Sequence, residues 1–411
     1  MNKSARVLGA RSTIGESFSS KHNSLNFLRL VLALLVLISH AVPLGNFGDS
    51  WIVFKGTPVG TLAVYGFFGI SGFLIAGSAV RNGVGRYLWQ RFLRIFPGFW
   101  VCLVITAFVI GLVGWLVQSG PHCGISCYMH ARQSPFDYVF GNAFLKMTQS
   151  SIAGTPTALP NAWNGSLWTL FYEFLCYLFL MGLAMFGLLR NRVWVLALTI
   201  VLWVTACMAV VVPSLDREIN LSNNATEMYF LRFVTIFMVG AVIYLYRDHV
   251  PDSGWLALIC AVAFVAGMWL PAGGYVPAFD LTASYLVAPL VAYPLLWLGI
   301  HLPFDRVGSQ NDYSYGVYIY AYPVTVLLAI WHAEKLGEPV FIVLCIVATA
   351  PFAMASWWLI EKRALRLKRM DPKAVTTWIS RSKHARPTGS TEAGRRVLEE
   401  ISEGPSPSDL S

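Results

Sequence analysis

Charge is what this chain has least of. Asp, Glu, Lys and Arg make up 12% of its 411 residues, about half the ~25% usual in soluble domains. That scarcity excludes disorder over most of the length, because disordered segments are charge-rich and poor in aromatics. It also excludes an ordinary soluble globule, because 56% of the residues are hydrophobic. Cysteine is sparse too. There are seven, with no CxxC pair and no histidine at zinc-ligand spacing, so no metal is expected. Cys102, Cys176, Cys207, Cys260 and Cys345 lie in apolar runs and read as small buried hydrophobes. Cys123 and Cys127 share a polar loop. A disulfide between them requires that the loop face an oxidising compartment, and the sequence leaves this open.

What is present is a series of long apolar runs, at 25–44, 59–80, 96–118, 166–189, 193–213, 228–247, 254–271, 281–300, 313–333 and 339–361. Each is near the ~17–25 residues that cross a bilayer as a helix. The mean hydropathy of +0.58 agrees. The expected fold class is an all-α polytopic membrane protein, a bundle of about ten transmembrane helices. The first run is not read as a cleaved signal, since it follows a 24-residue polar segment and carries Arg29 and His40. No internal repeat is evident, and no soluble catalytic domain is expected beyond the spans.

Lys and Arg counts set the orientation. With the N-terminus inside, inner segments hold 23 and outer loops hold 5; Arg29 and Arg232 lie within runs. Both termini are therefore expected in the cytoplasm. Residues 1–24 form an N-terminal segment, 25–361 the membrane domain, and 362–411 a basic, disordered tail. That tail holds 11 Lys/Arg against 6 Asp/Glu. The formal net charge of +9 thus records topology and attraction to anionic lipid rather than a nucleic-acid partner. The longest outer loop, 119–165, is either a cover for an outward-facing site or a plain connection.

A charge at mid-membrane costs about 2.5–3.5 kcal/mol even on lenient scales, which makes each such residue a functional candidate. Arg29 and His40 are eleven apart, about three helical turns, so they share one face with a rise of ~16 Å between them. Alone, Arg29 reads equally as an end residue reaching for solvent, and His40 as a hydrogen-bonded core histidine. Arg91 and Arg94 share a helix face, and arginine forks suit phosphate oxygens; cytoplasmic charge bias is the other reading. Glu173 is the one acid well inside a run. It lies ~10 Å from the outer surface and His40 ~6 Å, so depth alone suggests that they meet. A His–carboxylate pair has a fixed tautomer and raised basicity, as a general base needs. Arg232 either snorkels or binds an anionic acceptor group. The tyrosines between Tyr313 and Tyr322 either line a groove or mark an interface.

Several fragments in order resemble acyltransferase family 3, membrane enzymes that acylate carbohydrates and other acceptors. They are Asn26-Phe-Leu-Arg29 with His40, Phe67-Phe-Gly-Ile-Ser-Gly-Phe-Leu74, Arg91-Phe-Leu-Arg94-Ile-Phe-Pro97, Ser166-Leu-Trp-Thr-Leu-Phe-Tyr-Glu173, Ser314-Tyr-Gly-Val-Tyr318 and Leu359-Ile-Glu-Lys362. The similarity spans roughly 23–368. Two departures stand out. Ala321-Tyr322-Pro323 replaces the family's His-aromatic-Pro, and Arg363 replaces the proline of Glu-Lys-Pro.

The resemblance implies transfer of an acyl group, most often acetyl from acetyl-CoA, to a sugar hydroxyl of a surface polysaccharide or lipid-linked glycan. It implies a multi-pass protein of the bacterial inner membrane. By analogy His40 is the base, with Glu173 and Arg29 beside it in catalysis. Arg91 and Arg94 hold the donor, and Ser166, Trp168 and Tyr318 are candidates for binding the acceptor. The alternative is a secondary transporter, in which intramembrane Arg, His and Glu form a relay.

Overall fold

The computed structural model describes residues 12–48, 52–54, 57–119, 124–157, 161–211, 225–268 and 287–369. Among them, six helices are long and apolar enough to cross a membrane. These are α1 (Leu25–Leu44), α2 (Val59–Arg81), α3 (Val84–Gln118), α4 (Trp168–Met185), α6 (Thr226–Leu245) and α10 (Glu338–Arg366). Four shorter apolar helices fall on the other expected runs: α5 (Arg192–Met208), α7 (Gly254–Met268), α8 (Ala288–His301) and α9 (Ser314–Ile330). The helix carrying the arginine pair starts earlier than hydropathy alone suggests, at Val84, so Arg91 and Arg94 sit two to three turns inside it.

The outer surface of the bundle is apolar. Phe186 and Trp255 are 82% and 76% exposed, and Val193, Ile259 and Val347 project likewise. Such a surface suits lipid and not water. In lipid, helices gain little from burying more apolar area, so close packing over small residues matters more. The fragment Phe67–Leu74 shows this. A Cβ on Gly72 would lie 1.9 Å from the Phe237 carbonyl oxygen, and one on Gly240 would lie 2.1 Å from that of Gly69. These glycines let the α2 and α6 backbones touch. Phe68 and Phe233 stack beside the contact, with centroids 4.3 Å apart.

The start of α1 is tied to distant segments. Buried Ser24 precedes it; its hydroxyl donates to the Leu302 carbonyl at 2.6 Å and accepts from Phe304 N–H at 3.1 Å. Upstream, a short helix, Ile14–Ser17, opens with a capping box on Thr13 and Glu16. It docks on the turn after α6 through Ile14 N–H to Val250 at 2.9 Å.

The segment between α3 and α4 is a folded cap rather than a plain connection. Within it, Ile125–Met129 and Pro135–Asn142 are short helices. Tyr128, Tyr138 and Trp163 are fully buried. The Asn142 carboxamide closes the turn, accepting from Thr148 N–H at 2.7 Å and donating to the Gln149 carbonyl at 2.8 Å. Cys127 is disulfide-bonded. Cys123, the other half of the candidate pair, lies outside the described residues, as do 370–411 and with them most of the basic tail.

Candidate active site

Three arginines from two helices converge. Arg29 on α1 and Arg91 and Arg94 on α3 line one cavity of about 240 Å³, with Ser71, Gln90, Tyr177 and Lys368 on its walls. Helical spacing brings Arg91 and Arg94 to one face. A shared acid brings Arg29 to them.

The residue that fixes this arrangement is Asp312, in the turn before α9. One of its oxygens, Oδ2, accepts from Arg29 Nη1 at 2.9 Å and from Arg94 Nη2 at 2.6 Å. The other, Oδ1, accepts from the Ser314 hydroxyl at 2.5 Å and backbone N–H at 3.1 Å. Burial by itself raises the Asp312 carboxyl. Arg94, Arg29 and Ser314 outweigh it and hold the group well below the ordinary carboxylate range. Arg94 also lies 3.8 Å from Glu361, whose other oxygen accepts from Ser356 at 2.9 Å. Glu361 sits in a π-helical turn, Trp357–Glu361, of α10. Sequence reading passed over Asp312. It borders an apolar run, where an acid raises no alarm.

Arg91 is held differently. Its guanidinium lies over the rings of Tyr87 and Tyr177, at 5.9 and 5.8 Å. Its buried Nε has no hydrogen-bond partner among the described residues. Arg91 therefore retains donor capacity that Arg29 and Arg94 spend on Asp312.

Glu173 does not meet His40. Its carboxylate accepts from Ser71 at 3.2 Å and from the Tyr177 hydroxyl, both wall residues of the arginine cavity. No hydrogen bond or ion pair joins it to His40 among the described residues. The reason lies in the entry to α4. Trp163, Asn164, Ser166 and Leu167 are all buried before that helix begins. The chain has thus already descended when α4 starts, and Glu173 lies correspondingly deeper. The α1–α2 register agrees: Gly60 abuts Ser39 and Gly66 abuts Leu32, which puts Ser71 level with Arg29.

At the other end of α1, His40 is partly buried. Its ring meets that of Tyr322 on α9 edge-on, with centroids 5.1 Å apart. Tyr322 in turn lies on Gly165, where a Cβ would come within 2.6 Å of the ring. The segment level with His40 is thus Asn164–Ser166.

Residues 22–358 match the model of the family described as an acyltransferase domain, Acyl_transf_3. The chain belongs to the acyltransferase 3 family. It is 30% identical over 357 residues to an O-acetyl transferase of Shigella phage Sf6, covering 86% of this chain and 98% of that one. It is 26% identical over 383 residues to nodulation protein 10 of Rhizobium leguminosarum bv. viciae, covering 86% and 96%. No solved structure matches it. The chain is an O-acyltransferase embedded in a membrane by multiple helices.

Within this acyltransferase, Ser166 and Tyr318 turn their polar atoms to each other's segments. The Tyr318 hydroxyl donates to the Ser166 carbonyl at 2.9 Å and contacts the Thr169 hydroxyl. The Ser166 hydroxyl donates to Asn164 at 2.9 Å. The Asn164 amide reaches the Ile319 carbonyl at 2.8 Å. These bonds stitch the descending segment to α9. Trp168 packs against Tyr229 at 4.7 Å between centroids. Beside it the Arg232 guanidinium lies over the Tyr65 ring at 5.6 Å. Arg232 is 5% exposed, so it does not snorkel.

Proposed function

We propose that this acyltransferase moves an acetyl group from acetyl-CoA to a sugar hydroxyl of a surface polysaccharide or lipid-linked glycan. The observation that carries this reading is the shared cavity of Arg29, Arg91 and Arg94, with His40 farther along the helix that bears Arg29. In this reading the arginine end faces the cytoplasm, where acyl-CoA is found, in a bacterial inner membrane. The bias of Lys and Arg supports that orientation, as does the bonded Cys127 in the opposite cap. The relative from phage Sf6, an O-acetyl transferase by name, supports acetyl as the group.

The geometry supports a division of labour. Arg91, with an unspent donor, and Lys368 take the phosphates of CoA. Arg29 and Arg94, braced by Asp312, fix the shape of the dock. Glu173 belongs to this donor end, holding Ser71 and Tyr177 on the wall. The pantetheine arm reaches about 15–20 Å by ordinary bond lengths, which matches the ~16 Å rise from Arg29 to His40.

At His40 the acceptor hydroxyl gives its proton to the imidazole as its oxygen attacks the thioester carbon. A C–O bond forms, and the carbonyl pair moves onto oxygen. Collapse restores the carbonyl, breaks the C–S bond and returns the proton to the departing thiolate. Ser166 and Tyr318 hold the Asn164–Ser166 segment beside His40, and Trp168 offers an aromatic face to a sugar. The test is acetyl transfer by membranes carrying the protein, supplied with acetyl-CoA, with His40→Ala as the control. Acceptor acetylation that persists in that variant rules out His40 as the base.

A further inference from the structure

Two polar side chains at the His40 end pack into the fold without spending their polar atoms on it. Among the described residues neither the His40 imidazole nor the Tyr322 hydroxyl makes a protein hydrogen bond, although Tyr322 is only 4% exposed. By contrast Tyr315 and Tyr318, on the same helix, spend their hydroxyls on the Ile95 and Ser166 carbonyls. The Tyr322 ring is enclosed, but its hydroxyl oxygen keeps access to solvent, so an incoming group can reach it. A reachable hydroxyl with no internal partner, on an enclosed ring that touches a candidate base, points to a partner that arrives with the substrate.

The surroundings keep Tyr322 in place. Its ring meets the His40 ring edge-on at 5.1 Å. On another side the ring and hydroxyl press on Gly165, where a Cβ would lie 2.6 Å from the ring and 2.8 Å from the hydroxyl oxygen. Gly165 is therefore a glycine because Tyr322 occupies the space of its side chain. The Asn164–Ser166 segment bearing that glycine is fastened to α9 by the Asn164 and Tyr318 bonds. The phenol is thus fixed from two sides before any substrate arrives.

We infer that the Tyr322 hydroxyl is a second catalytic group, donating a hydrogen bond to the oxygen that becomes negative as the acceptor attacks the thioester. The inference rests on the reading of His40 as the base. Tyr322 keeps its proton throughout; the acceptor proton goes to His40 and then to the CoA thiolate. A donor fixed in advance where charge develops stabilises the transition state without reorganising. Ala321, the residue before it, has no group that could do this.

The test is Tyr322→Phe, which removes one oxygen and keeps the ring between His40 and Gly165. Loss of an oxyanion donor lowers kcat by about 100–1,000-fold, and the KM for acetyl-CoA should stay near that of the parent. A kcat within about threefold of the parent, or a loss confined to the KM for acetyl-CoA, overturns the inference. Should Tyr322→Phe fail to fold, 3-fluorotyrosine at 322 serves, because it keeps the shape and strengthens the donor. A kcat that rises with donor strength supports the role, and one that does not change overturns it. His40→Ala separates the two ideas. If that variant is inactive while Tyr322→Phe is fully active, only the role of Tyr322 is lost. If His40→Ala remains active, the reading of the base itself fails.

Discussion

Arg94 on α3 donates to Asp312, in the turn before α9, at 2.6 Å. The same carboxylate oxygen takes Arg29 from α1 at 2.9 Å. One acid therefore joins three elements at the arginine end of the site. It also leaves Arg91, stacked on Tyr87 and Tyr177, as the arginine best able to take a ligand.

Asp312→Asn should be strongly destabilising. Removing one partner of a buried ion pair costs about 3–5 kcal/mol, because the cations left behind are uncompensated. Arg29 and Arg94 keep 18% and 15% side-chain exposure, so the lower end of that range applies. Thermal unfolding in detergent should show a clear drop in midpoint, and Asp312→Glu should recover part of it. An unchanged midpoint in Asp312→Asn would remove the brace from this account.

The same pairing sets a pH expectation. The folded-state value of Asp312 is depressed, so its contribution is complete above the ordinary carboxylate value of 3.8. It is lost only as pH falls through the lower folded value. Between pH 5 and 8 this group should add no slope to stability. In melting curves, the stability lost in Asp312→Asn relative to the parent should therefore begin to shrink only as pH falls below the ordinary value of 3.8.

Arg91→Ala should raise the KM for acetyl-CoA more than it lowers kcat. A hydrogen bond to a charged group is worth about 1.5–3 kcal/mol, or roughly 10–150-fold in affinity. Arg91→Lys should recover little, since a point charge does not reproduce a planar fork. Steady-state kinetics with the donor varied decides this, and an unchanged KM would place the phosphates elsewhere.

Glu173→Gln should leave the pH–rate profile governed by His40 where it is. Glu173 meets Ser71 and Tyr177 instead, and its loss should be felt in donor binding. A shifted acidic limb of that profile, where the base becomes protonated, would restore the direct pairing.

Gly72→Ala should drive α2 and α6 apart, because its Cβ would meet the Phe237 oxygen at 1.9 Å. Gly83→Ala, with nothing within 4 Å, is the matched control. The yield of folded protein after detergent extraction should fall for the first and hold for the second.

Much of this was legible in the sequence. Apolar runs located the helices, and the α1 bounds fell on Leu25 and Leu44, because membrane spans are specified by length and hydropathy. The spacing of Arg91 and Arg94 placed them on one face. Partners across helices were harder. Asp312 escaped notice because only packing reveals what an acid at a run's edge will touch. Glu173 was misplaced in depth because the buried segment before Trp168 breaks the assumption that a span starts at the surface. Tyr322 hid among neighbouring tyrosines, and only the contacts separate those that brace α9 from the one that faces His40.

In the proposed reaction acetyl leaves acetyl-CoA at the arginine end and reaches a sugar hydroxyl at His40. Mass spectrometry of surface glycans tests it most directly, in cells carrying the parent chain, the His40→Ala variant or neither. Glycan repeats heavier by one acetyl group are expected with the parent chain alone. Equal acetylation in the His40→Ala cells, or none with the parent, would contradict it.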